Sequence, residues 1–384
     1  MARFTIPRDV YFGQGTVEEL KNLKGKRAAI VMGGSSVKKN GALEKVEKYL
    51  KEAGMEITLI EGVEADPSVA TVMRGVEAMN EFKPDWIVGL GGGSPMDAAK
   101  AMWIFYEYPE FTFEEAAKPF NLPELRQKAK YAAIPTTSGT GSEVTSFAVI
   151  TDHKTGIKYP IADFNITPDI AIVDTDLAQS MPATLVAYTG MDALTHSLEA
   201  YVSTMSNELT DTLAMKSIEM IQDYLVESFK GDENSRAKMH ISQCLAGMSF
   251  SNAILGIVHS MSHKTGKIFD IAHGCANTIY LPIAIEFNAE KAGDKYADVA
   301  KRLGLQGSNE KELVESLVKF VRDLNKAMNI PTSLKEFGLA EEKFLANLDD
   351  ISKNAVVDPC TGTNPREISV EEMKELFKKA YYGA

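Results

Sequence analysis

A chain of 384 residues, 45% hydrophobic and 24% charged, is too long for one ordinary core and is expected to form two soluble domains of roughly 150–200 residues each. Its net charge of −12 argues against nucleic acid or a membrane surface as a main partner, because both ask for a basic face. Cys244, Cys275 and Cys360 are too scattered for a disulfide framework or a structural zinc site, and Cys244 reads as a small buried hydrophobe. No apolar run approaches the roughly 18 residues of a membrane span. The opening Met1-Ala2-Arg3-Phe4-Thr5 lacks the charged and apolar regions of a signal peptide, so a cytoplasmic location is expected.

Strand-like and helix-like segments alternate through the first half. Lys26–Met32 is a short apolar run ending at Gly33-Gly34, and Gly41–Ala53 has Leu43, Val46, Tyr49 and Leu50 at helical spacing. Glu56–Ile60 reads as strand, Pro67–Phe82 as helix, and Trp86–Leu90 and Tyr131–Ile134 as buried strands. Such alternation predicts a parallel sheet covered on both faces. Phe147–Thr151 and Gly156–Ile161, joined by Asp152-His153-Lys154-Thr155, predict a β-hairpin, and Asp169–Val173 is the last strand. From Pro182 onward nearly everything carries helical periodicity. An α/β dinucleotide-binding domain over 1–179 and a helical metal-binding domain over 180–384 are expected, with a ligand favoured between domains.

The run Gly89-Leu90-Gly91-Gly92-Gly93-Ser94-Pro95-Met96-Asp97 follows a strand and opens a helix. Ser94 is placed to cap, Pro95 to take the first helical position, and Asp97 to close a capping box. Gly91, Gly92 and Gly93 allow backbone N–H groups close to an anion, and the helix N-terminus adds partial positive charge. Neither the G-x-G-x-x-G fingerprint nor a P-loop is matched. A tight turn without ligand is the alternative, but the glycines exceed what a turn requires. A second loop, Pro135-Thr136-Thr137-Ser138-Gly139-Thr140-Gly141-Ser142-Glu143, is rich in hydroxyls fit for ribose, amide or phosphate. At Gly33-Gly34-Ser35-Ser36-Val37-Lys38-Lys39 there is no acidic residue to hold a 2′-hydroxyl. Gly34, Ser35, Ser36 and the two lysines instead favour a 2′-phosphate, hence NADP(H) over NAD(H); a solvated basic helix start is the alternative.

Four of the six histidines fall in one region. Asp192 and His196 stand at i,i+4, as do His259 and His263, and His273 opens an apolar stretch running from Cys275 to Phe287. Imidazoles with one carboxylate suit Zn²⁺ or Fe²⁺. Either pair alone could be an ordinary helix pair. Together they lie in segments otherwise apolar or small, where an unpartnered histidine is costly. His153, in a hairpin loop, and His240, in a polar helix turn, are expected to be solvated. Spacing leaves open which of His259 and His263 binds the ion.

These residues together resemble the iron-containing (group III) alcohol dehydrogenase family over the whole chain, and its butanol-dehydrogenase-like, NADPH-using branch in particular. The motifs are Gly91-Gly92-Gly93-Ser94 with Asp97, Pro135 through Glu143, Gly190 through His196, His259 through Pro282, and Asp358-Pro359-Cys360 with Asn364-Pro365-Arg366. The resemblance implies a Rossmann-like parallel sheet with a β-hairpin, followed by an all-α domain. It implies metal ligation by Asp192, His196, His259 and His273, with Fe²⁺ or alternatively Zn²⁺ as the ion. It places His263 beside the nicotinamide, where a catalytic proton-relay or positioning role is expected, with packing as the alternative. It places Gly91 to Asp97, Thr136, Thr137 and Lys158 on the cofactor, and Cys360 near the active site. A homodimer is common in such a family.

The expected chemistry is hydride transfer between NADP(H) and a small primary alcohol or aldehyde. The rival readings are a glycerol-type polyol dehydrogenase or dehydroquinate-synthase-like enzyme of the same superfamily, a metallohydrolase, and a non-catalytic nucleotide-binding protein.

Overall fold

The computed structural model describes residues 3–154 and 158–383. The chain divides into two compact units, Met1–Met181 and Pro182–Ala384.

In the first unit the strands are β1 (Asp9–Gly13), β2 (Arg27–Met32), β3 (Glu56–Ile60), β4 (Trp86–Gly91), β5 (Lys130–Pro135), β6 (Phe147–Thr151), β7 (Lys158–Ala162) and β8 (Ile170–Asp174). Its helices are α1 (Ser36–Lys39), α2 (Ala42–Glu52), α3 (Val69–Phe82), α4 (Gly93–Glu107) and α5 (Phe113–Ala116). Six strands form a wholly parallel sheet in the order β1-β8-β5-β4-β2-β3. The side-chain alternation of a strand splits β2 between two cores. Ala29 and Val31 join Val72, Val76 and Met79 of α3 and Met102 of α4; Ala28, Ile30 and Met32 join Leu43, Val46 and Leu50 of α2. Both faces of the sheet are thereby covered, as the buried, unalternating strand sequences predict.

The hairpin is present: β6 and β7 pair antiparallel, Thr151 opposite Lys158. Thr155 of its connection, Gly156 and Ile157 at the start of the expected second strand, and the side chain of Lys158 lie outside the described residues. The edge strand β1 has no counterpart among the sequence-read strands. It pairs with β8, Asp9 opposite Ile170, a partner so distant in sequence that local pattern carries no trace of it. Asp174, at the end of β8, fixes this edge by accepting N–H bonds from Gly15 (3.0 Å) and Val17 (2.9 Å).

One sequence reading is corrected at the glycine loop. Helix α4 begins at Gly93, with Gly92 in the N-cap position and no side-chain cap. Ser94 lies inside the first turn instead of capping it. The carboxylate of Asp97 is drawn to the second loop, where it accepts from Ser142 Oγ (2.7 Å) and Val149 N (3.1 Å), so no capping box forms.

The second unit is helical throughout: α6 (Ala183–Val202), α7 (Glu208–Lys230), α8 (Glu233–Ala253), α9 (Ile257–Phe269), α10 (His273–Arg302), α11 (Glu310–Ala327), α12 (Glu341–Val356) and α13 (Val370–Tyr382). A 3-10 turn, Pro359–Thr363, separates the last two. Small residues let the helices that carry the histidines come together. A Cβ on Gly274 of α10 would run into the Tyr188 backbone of α6, and one on Gly190 of α6 into Leu225 of α7. His240 departs from its expectation: it is wholly buried in α8, because that turn faces inward despite its polar neighbours.

Candidate metal centre and dinucleotide site

Helices α6, α9 and α10 deliver the Asp/His set. Asp192 and His196 lie one turn apart on α6, His259 on the first turn of α9, and His273 is the first residue of α10. Asp192 Oδ1 is 3.8 Å from His196 Nε2, 3.6 Å from His259 Nε2 and 3.7 Å from His273 Nε2. Asp192, His196 and His259 offer ligand atoms that all lie within 4.8 Å of one another, with His273 outside that closer group; such separations suit donors sharing one ion at the bond lengths of about 2.0–2.2 Å that zinc makes to imidazole nitrogen and carboxylate oxygen. Spacing and donor chemistry therefore fit a divalent ion. Asp192, His196 and His259 are all buried. Burial works against charge on Asp192, and the surrounding histidines outweigh it, holding the carboxyl well below the ordinary range.

The remaining ring nitrogens show why Nε2 faces the centre. His259 Nδ1 lies 2.5 Å from Glu199 Oε2, so a proton belongs on Nδ1, and Nε2 is the nitrogen turned toward Asp192. Ser262 Oγ donates to His259 O (3.1 Å) and so accepts from His273 Nδ1 (3.3 Å), placing a proton on His273 Nδ1 as well. These are the outer hydrogen bonds that orient metal-ligating imidazoles. The His259 ring also stacks on His196, 4.6 Å between centroids, and His196 on Phe250 at 4.3 Å. Burial disfavours charging His259, but Glu199 and Asp192 more than offset it and hold the ring up at about 9.

Two residues without an assigned role in the sequence reading belong here. Glu199 follows Asp192 and His196 at i+7 and i+3, one stripe of α6. Its Oε1 accepts from Val258 N (2.7 Å), so one carboxylate both orients a ligand and caps the α9 N-terminus. Gly256 makes room for it: a Cβ there would lie 2.9 Å from Glu199 Oε1 and from Asn364 Oδ1. Asn277, one turn after His273, donates from Nδ2 to Asp192 Oδ1 (2.7 Å) and lies 3.2 Å from Nε2 of both His259 and His273. The Glu199 stripe was readable from spacing; nothing in the sequence marks Asn277.

His263 stands one turn beyond His259. Its ring is parallel to that of His273 at 5.7 Å and edge-on to His259 at 6.0 Å, and its Nδ1 is 3.2 Å from Asp358 Oδ2. It is part of the cluster but not one of the converging Nε2 donors. Cys360 is half-buried, and its backbone N–H donates to Asp358 Oδ1 (3.0 Å).

In the first unit, Gly91 adopts φ +142°, and its Cβ would lie 2.7 Å from Pro95. A Cβ on Gly92 would lie 3.3 Å from Thr137 Oγ1, and one on Gly93 3.0 Å from Thr140 Cγ2. Thr136 N donates to Gly91 O (2.8 Å). The glycine and hydroxyl loops thus lie against each other at the N-terminus of α4, the kind of helix start whose N–H groups suit an anion. Asp97 is a brace within this arrangement. Gly34, Ser35 and Ser36 are exposed at the start of α1; Lys38 there pairs with Glu61 at 2.6 Å.

Known proteins carry the same organisation. Residues 7–175 match the model of iron-containing alcohol dehydrogenase, and 186–381 the C-terminal model of the Fe-containing alcohol dehydrogenase family. The chain belongs to the iron-containing alcohol dehydrogenase family. It is 59% identical over 383 residues to an NADPH-dependent butanol dehydrogenase of Clostridium saccharobutylicum, covering 100% of this chain and 99% of that one. It is 40% identical to the bifunctional aldehyde-alcohol dehydrogenase AdhE of Escherichia coli K12, matching 98% of this chain but 46% of that longer protein. The iron-containing alcohol dehydrogenase structure from Thermococcus thioreducens superposes with TM-score 0.92 at 36% identity, covering 100% of both chains. A 1,3-propanediol oxidoreductase structure gives 0.94 at 32% identity, covering 99% of this chain and 100% of that one. The family membership makes this chain an alcohol dehydrogenase and sets aside the hydrolase and non-catalytic readings.

Proposed function

We propose that this alcohol dehydrogenase is metal-requiring, uses NADP(H), and interconverts small primary alcohols and aldehydes. The observation that carries the reading is the convergence of Nε2 of His196, His259 and His273 on Asp192 Oδ1, at 3.8, 3.6 and 3.7 Å. Those four residues hold the ion, which the family name makes iron, with zinc as the alternative the same donors accept. The NADP(H) preference is supported by the small and basic run Gly34, Ser35, Ser36, Lys38 and Lys39, which holds no carboxylate, and by the name of the butanol dehydrogenase relative.

When bound, the ion supplies Lewis acidity toward the substrate oxygen, and the nicotinamide supplies or accepts the hydride. The chain's own groups do the rest. The N–H groups of Gly91 to Gly93 and the α4 terminus hold the pyrophosphate. Thr136 and Thr137 offer hydroxyls to the cofactor, and Ser35 and Ser36 to its 2′-phosphate. His263 accepts or returns the hydroxyl proton through Nε2.

The test is consumption of reduced cofactor, followed by its near-ultraviolet absorbance, with a panel of aliphatic aldehydes and anaerobically purified, metal-analysed protein. Faster turnover with NADPH than with NADH is expected. No consumption of either cofactor after metal is restored would sink the reading.

A further inference from the structure

The reading of His263 as a proton-handling group raises the question of what sets its chemistry, and the structure answers from the far end of the chain. Asp358 precedes the 3-10 turn Pro359–Thr363 and is buried. Donors surround its carboxylate. Oδ2 faces His263 Nδ1 (3.2 Å) and the Lys264 ammonium (2.8 Å), and Oδ1 accepts from Cys360 N (3.0 Å) and lies 3.5 Å from Ser260 Oγ. A buried carboxylate that accepts from both oxygens cannot turn without breaking bonds on each side, so it is a fixed reference point. The turn that carries it is tied independently to α9 and to the segment before it: Thr361 Oγ1 is 2.8 Å from Ser260 Oγ, and Thr363 Oγ1 donates to Leu255 O (2.7 Å).

We propose that Asp358 is the positioning residue for His263: by accepting from Nδ1 it holds the neutral ring as the Nδ1–H tautomer, parallel to His273, and leaves Nε2 as the acceptor for a hydroxyl proton. A carboxylate can only accept, so an unprotonated Nδ1 facing it would set lone pair against lone pair. Without Asp358 the ring would lose the carboxylate that selects its tautomer, and Lys264 the counter-charge beside it. The parallel contact with His273 limits how far the ring can swing, so tautomer, more than place, is what the carboxylate decides. This assignment rests on the proposed role of His263, but it makes a separate claim about the proton.

The experiment is ¹⁵N NMR of histidine-labelled, zinc-loaded protein, with His263 identified by its loss in His263→Gln. In the unsubstituted protein a protonated Nδ1 and an unprotonated Nε2 are expected at His263. In Asp358→Asn the signals should move toward the other tautomer or average between the two. That variant should also lose about 10- to 100-fold in kcat, the range seen when a partner orienting an active-site imidazole is removed, with KM for the aldehyde little changed. An Nε2–H or doubly protonated His263 in the unsubstituted protein overturns the proposal, and this arm holds even if Asp358→Asn does not fold. An unchanged tautomer in a folded Asp358→Asn overturns it as well. Full turnover in His263→Gln would instead remove the role assigned to His263, whatever the tautomer.

Discussion

Glu199 and His259 share a hydrogen bond of 2.5 Å from Nδ1 to Oε2, and the second oxygen of the same carboxylate caps the helix on which His259 stands. This proposed ligand is thus fixed in proton position and in place by one side chain from a neighbouring helix. Glu199→Gln should weaken metal binding about 10- to 100-fold, as other losses of a ligand's outer partner do. Chelator competition measures this without reference to turnover. Equal affinity in the variant and the parent would show that the bond does not orient the ligand.

His273 differs from the other proposed ligands in lying at a helix start with its side chain 44% exposed. Its replacement should therefore leave the fold intact while opening the donor set. His273→Ala is expected to bind no stoichiometric metal and to lose turnover, with a metal-free melting temperature close to that of the parent. Stoichiometric metal in the variant would refute the ligand assignment.

The Asp192–His196 pair was readable because both residues lie on one helix at a spacing that geometry converts directly into proximity. His259 and His263 have the same spacing and divide their roles by what faces each ring. Glu199 arrives on α6, 60 residues earlier in the sequence than His259, and Asp358 on a turn 95 residues after His263. Spacing puts Glu199 on the Asp192 stripe of α6 but does not show that it meets His259, and it shows nothing of Asp358, so the choice between the two histidines came from resemblance. Asp97 was misread for a related reason. Its spacing from Ser94 suits a capping box, but Ser142 Oγ and Val149 N hold its part-buried carboxylate in the neighbouring loop, and the helix start is left without a side-chain cap. The sheet was legible where strands are apolar throughout. It was not legible at β1, where Phe12 is exposed and Asp9 to Gly13 gain their order only by pairing with β8.

Lys100 is the hidden support of the glycine and hydroxyl loops. Fully buried in α4, its ammonium donates to Ser142 Oγ, Thr145 Oγ1 and the carbonyls of Thr145 and Phe147 at 2.8–3.2 Å. Lys100→Met should cost about 3–5 kcal/mol in denaturant unfolding, because it strands buried acceptors and leaves the nearby carboxylates without their cation. Burial pulls the Lys100 ammonium down to about 8, and Asp97 and Glu143 only partly offset that. Between that value and the ordinary lysine range the unfolded chain holds the proton that the folded chain has released, so this group adds stability as pH rises across the window. The parent should therefore gain stability relative to Lys100→Met between about pH 8 and pH 10. A parallel pH dependence in the two proteins would show that Lys100 is charged alike in both states.

The choice of cofactor is testable at α1. Lys38 is held by Glu61 at 2.6 Å, and Lys39 is exposed beside it, in a run whose Ser35 and Ser36 are also exposed. If this run receives a 2′-phosphate, each lysine that contacts it adds a charge-assisted bond that NADH cannot make, worth about 1.5–3 kcal/mol. The double variant Lys38→Ala, Lys39→Ala should therefore raise KM for NADPH at least about 10-fold. KM for NADH and the melting temperature should barely move, since both side chains lie in solvent and an exposed pair such as Lys38–Glu61 contributes little to stability. Comparing kcat/KM for the two cofactors separates recognition of the phosphate from general damage to the site. An equal loss with both cofactors would mean that the lysines serve the loop itself, and unchanged selectivity would place the 2′-phosphate elsewhere.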